Sequence, residues 1–114
     1  MLDTPRFRVP LTLDTPADSG TELILPSPST ATLNHITLTN NCSITLPDAK
    51  AGQALTVLLK QDEQGGRTVT WDTALWAGGT PPTLSTDANA MDVLVFICID
   101  NTNWMGFVSG LDMK

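Results

Sequence analysis

The sequence predicts an all-β fold, a single antiparallel β-sandwich or jelly-roll-like domain with an extended N-terminal arm. Threonine is its most frequent residue, and short segments in which apolar and polar residues alternate recur along the chain. Both features favour strands over helices. Eight glycines and eight prolines interrupt the alternation without a period, as in a fold of many short strands joined by turns. A length of 114 residues fits one domain.

The N-terminal region is predicted to be an arm over residues 1–20, followed by the sandwich domain over residues 21–114. Prolines recur through the first 29 residues, which favours an extended segment that reaches a neighbouring subunit. A disordered tail is the alternative. Within the arm, alternation from Phe7 and Val9 to Leu13 predicts a first strand.

The central part of the sequence contains several further alternating segments. They predict strands near residues 23–25, 34–39, 42–47, 53–60 and 67–71. The polar, glycine-containing loop between the last two predicts that they pair as a hairpin. Within that loop, Gly65 and Gly66 are expected to adopt positive φ values that fix the register of the flanking strands.

The C-terminal part of the sequence contains the most continuous apolar segment. Residues 91–100 predict a central strand covered on both faces, and residues 104–108 predict a final strand. Between these and the earlier strands, residues 74–82 contain two glycines and two prolines, and they predict an ordered loop or a very short strand. Together the segments indicate about eight strands.

Charge and hydropathy argue against two classes of partner. The formal charge of −6 would repel a phosphate backbone, so nucleic acid is not an expected partner. The longest apolar run, residues 93–99, is far shorter than the about 20 residues of a membrane-spanning helix, so no membrane association is expected. The N-terminus lacks the pattern of a secretion signal, which predicts a protein that is cytosolic when made.

Reactive side chains form no recognisable catalytic or metal motif in the sequence. Cys42 and Cys98 alternate with apolar neighbours, so buried thiols are favoured over a disulfide. His35 is the only histidine and is expected at the surface or in a cross-strand pair. Arg67 is expected to pair with Asp62 or Asp92. We therefore expect neither enzymatic activity nor a cofactor or metal.

The order of motifs between residues 33 and 110 resembles a module of tailed-bacteriophage structural proteins. A lysine-glutamine-aspartate sequence precedes a glycine-rich turn and arginine-threonine-valine-threonine-tryptophan, and a tryptophan and two glycines follow before a hydrophobic strand. The matching segments are residues 52–62, 65–71, 75–85, 92–96 and 103–106. Related modules occur in tail fibres, tail-associated proteins and small capsid proteins. The resemblance implies a virion component made in the bacterial cytoplasm.

The short chain favours a capsid decoration, or cement, protein that forms a homotrimer and stabilises the shell by binding the major capsid protein. A tail or tail-fibre component, such as an adaptor or a knob, is the first alternative, with tail proteins as its partners. A carbohydrate-binding module with a tryptophan platform is the second. The candidate partner-contacting residues are Phe7, Val9, Arg67, Trp71, Trp76, Gly78, Gly79 and Trp104.

Overall fold

A computed structural model describes residues 11–12, 17–72 and 74–114, and in this part of the chain the secondary structure is nearly all β. A single 3₁₀ turn, Ala77–Gly79, is the one helical element within these ranges. The strands in chain order are β1 (Leu11–Thr12), β2 (Ala17–Asp18), β3 (Glu22–Ile24), β4 (Ala31–Leu38), β5 (Cys42–Thr45), β6 (Ala54–Gln61), β7 (Val69–Trp71), β8 (Ala74–Leu75), β9 (Met91–Cys98) and β10 (Trp104–Gly110).

The described strands form two sheets. The large sheet has the order β1-β4-β6-β9-β10-β8, with β2 also paired to β4, and the small sheet has the order β3-β5-β7. The apolar side chains of the two sheets form one core between them. This arrangement confirms the predicted all-β sandwich. No helix in the described ranges is long and apolar enough to cross a membrane.

Strand directions are mixed, in contrast to the uniformly antiparallel sandwich that the sequence suggested. From β2 to β7, successive strands alternate between the large sheet and the small sheet. Strands that are neighbours within a sheet then pair in parallel, in the order β2-β4-β6 in the large sheet and β3-β5-β7 in the small one. A parallel pair requires a crossover between its strands, and here the intervening strand of the other sheet provides it. Only β6-β9 and β9-β10 pair antiparallel among the described strands.

The predicted hairpin between residues 53–60 and 67–71 is wrong. β6 lies in the large sheet and β7 in the small sheet, so the glycine-containing loop turns a corner between sheets. Alternation within a strand shows which side chains are buried, but it does not show which strands are neighbours. Both segments are therefore strands as predicted, with different partners.

The core consists of the inward-facing residues of both sheets. In the large sheet Val57 is in register with Leu94, and Leu55 with Phe96, and each of these side chains is at most 1% exposed. Ile44 of the small sheet is fully buried against them. Burial of one such side chain contributes about 1.5–3 kcal/mol to folding.

The two cysteines confirm the prediction of buried thiols. Cys42 and Cys98 are both buried and unbonded to each other. Desolvation raises the pKa of the Cys42 thiol. A buried, protonated thiol is a poor nucleophile, so Cys42 acts as a small apolar side chain of the core.

The N-terminal region is described in part. β1 and β2 fall within the predicted arm, and both pair with β4 at the edge of the large sheet. Residues 1–10, which include Phe7 and Val9, and residues 13–16 lie outside the described residues. The boundary between arm and domain at residue 20 stays a prediction.

Candidate functional site

The corner between β6 and β7 is built around the buried side chain of Gln61. Gln61 is 2% exposed, and its amide bonds to backbone on two sides. Its Oε1 accepts the Arg67 N–H at 3.0 Å, while its Nε2 donates to the carbonyl oxygens of Arg67, at 2.8 Å, and Ser85, at 3.0 Å. Because a buried amide without partners is destabilising, these bonds fix the corner and the segment around Ser85 together.

An ion pair closes the same corner. Arg67 Nη2 lies 2.8 Å from Asp62 Oδ2, which confirms the predicted pairing of Arg67 with Asp62. Asp62 Oδ1 also accepts the N–H groups of Gln64 and Gly65, at 3.1 and 3.0 Å. The hydrogen bond from Arg67, followed by those backbone bonds, lowers the pKa of Asp62. Arg67, predicted to contact a partner, is thus engaged within its own chain.

Gly65 allows another loop to pass against the corner. Its φ is +71°, and a Cβ at this position would lie 2.6 Å from the Thr86 carbonyl oxygen and 2.8 Å from the Ala88 nitrogen. Gly66, with φ +75°, donates its N–H to the same Thr86 oxygen at 2.8 Å. The positive φ values predicted for both glycines are confirmed, and they serve a junction between loops.

Asp92 ties the neighbouring loop and the C-terminal segment to β9. It is 2% exposed, and its two carboxylate oxygens accept the N–H groups of Ser85, at 2.7 Å, and Asp112, at 2.9 Å. Neither this role of Asp92 nor the central role of Gln61 was predicted from the sequence. The sign of these roles in the sequence is that β6 and β9, which are otherwise apolar at their inward positions, each have one polar residue there.

The three tryptophans do not form one exposed platform. Trp71 and Trp76 pack on each other with ring centroids 5.6 Å apart, and both also pack on Phe96, at 5.1 and 5.5 Å. Trp104 is 2% exposed and donates its indole N–H to the Pro47 carbonyl at 2.8 Å. All three therefore contribute to the core, with Trp71 and Trp76 at its half-buried margin.

The Trp76 ring lies directly over the backbone of β10. A Cβ on Gly106 would overlap three carbons of the Trp76 ring, so only glycine permits this packing. After Trp76 the chain turns through the exposed Gly78 and Gly79, whose φ values are +69° and +79°. This loop is exposed beside the aromatic cluster, and its predicted contact with a partner stays a prediction.

The outer side of the large sheet presents an apolar surface. β9 is central in its sheet, as predicted, but in the described part of the chain no element packs on its outer side, in contrast to the predicted cover on both faces. We call this surface the outer patch; its members, on β8, β9 and β10, are Leu75, Val93, Val95, Ile97, Met105 and Phe107. Leu75 is 54% exposed and Phe107 46%, whereas the others are half-buried.

Groups suited to metal binding do not converge in the described ranges, where no three of His, Cys, Asp and Glu are placed to hold an ion. His35 lies on the outer side of β4, in register with Leu58 of β6, and is half-buried. This is the cross-strand position that the sequence suggested for it.

The chain matches a known protein family. Residues 24–99 match the model described as "Putative phage tail fibre C-terminal domain". No curated protein and no solved structure shows significant similarity to the chain. The matched range contains the corner residues Gln61, Asp62, Gly65 and Arg67 together with Asp92, and it covers well over half of the sequence. The chain therefore belongs to the phage tail fibre C-terminal domain family.

Proposed function

We propose that the protein is a structural component of a phage tail fibre and that it acts through contacts with other tail proteins. The observation that carries this proposal is the family match over residues 24–99. The expected role in capsid decoration has no support from this match, and the tail-fibre alternative fits it better. Both the capsid role and the tail-fibre role make the protein a component of the virion.

The geometry of the matched motif supports a scaffold. Gln61, Asp62 and Arg67 bond to one another or to backbone, and Gly65 provides room for a neighbouring loop. The buried carboxylate of Asp92 bonds to two backbone N–H groups. The distinctive residues of the motif thus join sheets and loops, which is the role expected in a structural domain.

Several copies are proposed to act together as a homotrimer bound to other tail proteins. A copy within an oligomer binds its partner at a high effective concentration, so individually weak contacts hold the assembly together. The exposed Leu75 and Phe107 support association, because contiguous apolar surface on a small domain is typical of an interaction site.

A copy count on separated particle parts tests the location. Purified virions are dissociated, heads and tails are separated by density, and the protein is quantified in each fraction by mass spectrometry with isotope-labelled peptides. We expect it in the tail fraction, at far fewer copies than the major capsid protein. Recovery with the heads, at a copy number similar to that of the major capsid protein, would contradict the proposal.

A further inference from the structure

We propose that residues 6–9 of one copy add as a short strand to the open edge of β10 in the next copy. The proposal rests on the proposed function, which calls for association of copies, and it names the two surfaces through which they meet. Three features support it: the edge of β10, the pocket beside that edge and the sequence of residues 6–9.

The edge of β10 is open over most of its length in the described part of the chain. β8 pairs with β10 only at Trp104 and Met105, which leaves residues 106–110 without a described neighbour on that side. Exposed edges are normally protected by charged residues, proline or a bulge. Residues 106–110 contain neither charge nor proline, and the bulge lies at the end of the strand, between Val108 and Gly110. This edge is therefore suited to pairing with a further strand.

The backbone groups of Val108 point to the open side. On β9 the N–H of Cys98 donates to the Gln53 carbonyl at 2.9 Å, on the side of β6. Because backbone groups alternate between the two sides of a strand, those of Val95 point to β10, where Phe107 is in register with it. Phe107 thus bonds to β9, and the N–H and C=O of the next residue, Val108, point away from β9.

A pocket of about 170 Å³ lies at the end of β8, beside the open edge. Its lining is largely apolar and comes from β8, β10 and the residues that follow β8: Leu75, Trp76, Ala77, Met105, Gly106 and Phe107. A cavity of about 150 Å³ holds a benzene molecule, so this pocket accommodates one aromatic ring. When a peptide adds to a sheet edge, main-chain hydrogen bonds provide affinity and pockets for alternate side chains provide specificity. The edge and the pocket together form such a site.

The sequence of residues 6–9, arginine-phenylalanine-arginine-valine, fits this site. These residues precede β1 and lie outside the described residues. Phe7 and Val9 alternate with the two arginines, so a strand here presents both apolar side chains on one face. The prolines on either side of the segment cannot donate to a ladder, which limits the added strand to four residues, about 13 Å, beside an edge of five residues.

The segment cannot reach the edge of its own β10. The large sheet has the order β1-β4-β6-β9-β10, so a strand added outside β10 lies five strand spacings, or about 24 Å, from β1. Arg6 precedes Leu11, the first residue of β1, by five residues, and five extended residues span at most about 18 Å. Phe7 and Val9 are closer still to β1. The edge that accepts the segment therefore belongs to another copy.

Charge favours binding of this segment to a domain of the same kind. Residues 1–10 contain two arginines and one aspartate, a formal charge of +1, so the rest of the chain has a formal charge of −7. Opposite net charges attract over a distance, whereas two acidic domains repel each other. The basic segment thus offers each acidic domain a favourable contact with its neighbour.

The symmetry of this contact agrees with a trimer. Each copy donates residues 6–9 from the β1 side of its large sheet and accepts the same segment of a neighbour on the β10 side. Contacts between two different surfaces run head to tail, and they close into a ring where the rotation permits. A ring of three copies is the homotrimer proposed above.

Sedimentation velocity and hydrogen exchange on the full-length chain test the proposal, with Phe7→Ser as the variant of the segment. Leu2→Ser is the matched control, because it removes an apolar side chain from the same ten residues but outside residues 6–9. Val108→Pro tests the edge, since proline there removes an N–H on the open side of β10 and none that bonds to β9. Circular dichroism and thermal unfolding verify that each variant folds.

We expect the wild-type chain to sediment at three times 12.2 kDa at micromolar concentration, with slow amide exchange in residues 106–110. Phe7→Ser and Val108→Pro should each weaken association at least about tenfold, the effect of losing one interface anchor. Phe7→Ser should also speed exchange in residues 106–110, because it uncovers the edge. Leu2→Ser should behave as wild type in both measurements.

A wild-type chain that stays at 12.2 kDa throughout the concentration range would overturn the proposal. So would a Phe7→Ser variant that associates normally, or a Leu2→Ser variant that dissociates to the same extent as Phe7→Ser. Equal exchange rates of residues 106–110 in wild type and Phe7→Ser would show that the segment does not cover this edge.

The result is separable from the test of the location. A monomeric chain that is nevertheless recovered with tails removes the contact between copies and leaves the tail-fibre assignment. A chain that associates through residues 6–9 but is recovered with heads removes the tail-fibre assignment and leaves the strand addition in place.

Discussion

The two faces of the large sheet are both apolar, but only one is covered by the rest of the described chain. On β9 the inward residues Leu94 and Phe96 are fully buried under the small sheet, whereas the outward Val93, Val95 and Ile97 are half-buried. Inward burial stabilises the subunit. Outward apolar residues add less to the stability of the isolated subunit, because they stay partly in contact with water.

The largest difference between the faces is expected from a pair of phenylalanine substitutions. Phe96→Ala removes a fully buried ring that contacts Trp71 and Trp76, and it should lower the free energy of unfolding by about 3–5 kcal/mol. Phe107→Ala, measured by urea unfolding at submicromolar concentration, should change it by less than about 1 kcal/mol. Equal effects would show that the two faces are equally covered.

A smaller effect is expected at the corner that connects the large sheet to the small one. Gln61→Ala leaves the backbone groups of Arg67 and Ser85 without their buried partner, which should lower the free energy of unfolding by about 2–3 kcal/mol. Gln64→Ala, at an exposed position in the same corner, should have an effect below about 0.5 kcal/mol. If the two variants unfold at the same urea concentration, Gln61 does not hold the corner.

Two glycines on β10 sharpen the comparison further. Gly106→Ala would place a methyl group in the Trp76 ring, so we expect a loss of about 1–3 kcal/mol and a shift in tryptophan fluorescence. Gly110→Ala meets only the flexible end of Met113, which can move aside, and serves as the control. Unchanged fluorescence and stability in Gly106→Ala would contradict the close packing of Trp76 on the inner side.

The smallest effect concerns the half-buried ion pair of Asp62 and Arg67, and it depends on pH. The pKa of Asp62 is lowered in the folded state, chiefly by the hydrogen bond from Arg67, from an ordinary value of 3.8. The stabilisation is therefore complete above pH 3.8 and is lost as the pH falls through the lowered pKa. Asp62→Asn should reduce stability at neutral pH and match wild type in strong acid. A difference from wild type that does not change with pH would contradict this.

The strands themselves were largely predictable, because alternation reports burial directly. The segments around Ile36, Ile44, Val57 and Phe96 all form strands where the sequence placed them. Strand partners were not predictable in the same way. Residues 62–68 have the composition of a hairpin turn, and only the bonds of Gln61 to Arg67 and Ser85 show that they form a corner between sheets.

Which apolar and charged side chains lie exposed was predictable only in part. Arg67 and Trp104 are predicted contact residues because they are a charged and an aromatic residue of the motif. In the structure Arg67 pairs with Asp62, and Trp104 donates a hydrogen bond to the Pro47 carbonyl. Leu75 and Phe107 did not stand out, because a single apolar residue in a strand fits the inner and the outer face equally well. The distinction depends on register, which places Phe107 beside the outward Val95.

The location of the protein on the particle tests the central claim most directly. Gold-labelled antibodies against the purified domain, viewed by electron microscopy on intact virions, should mark the tail fibres and leave the heads unlabelled. Label spread evenly over the heads, with bare tails, would contradict the assignment to the tail fibre.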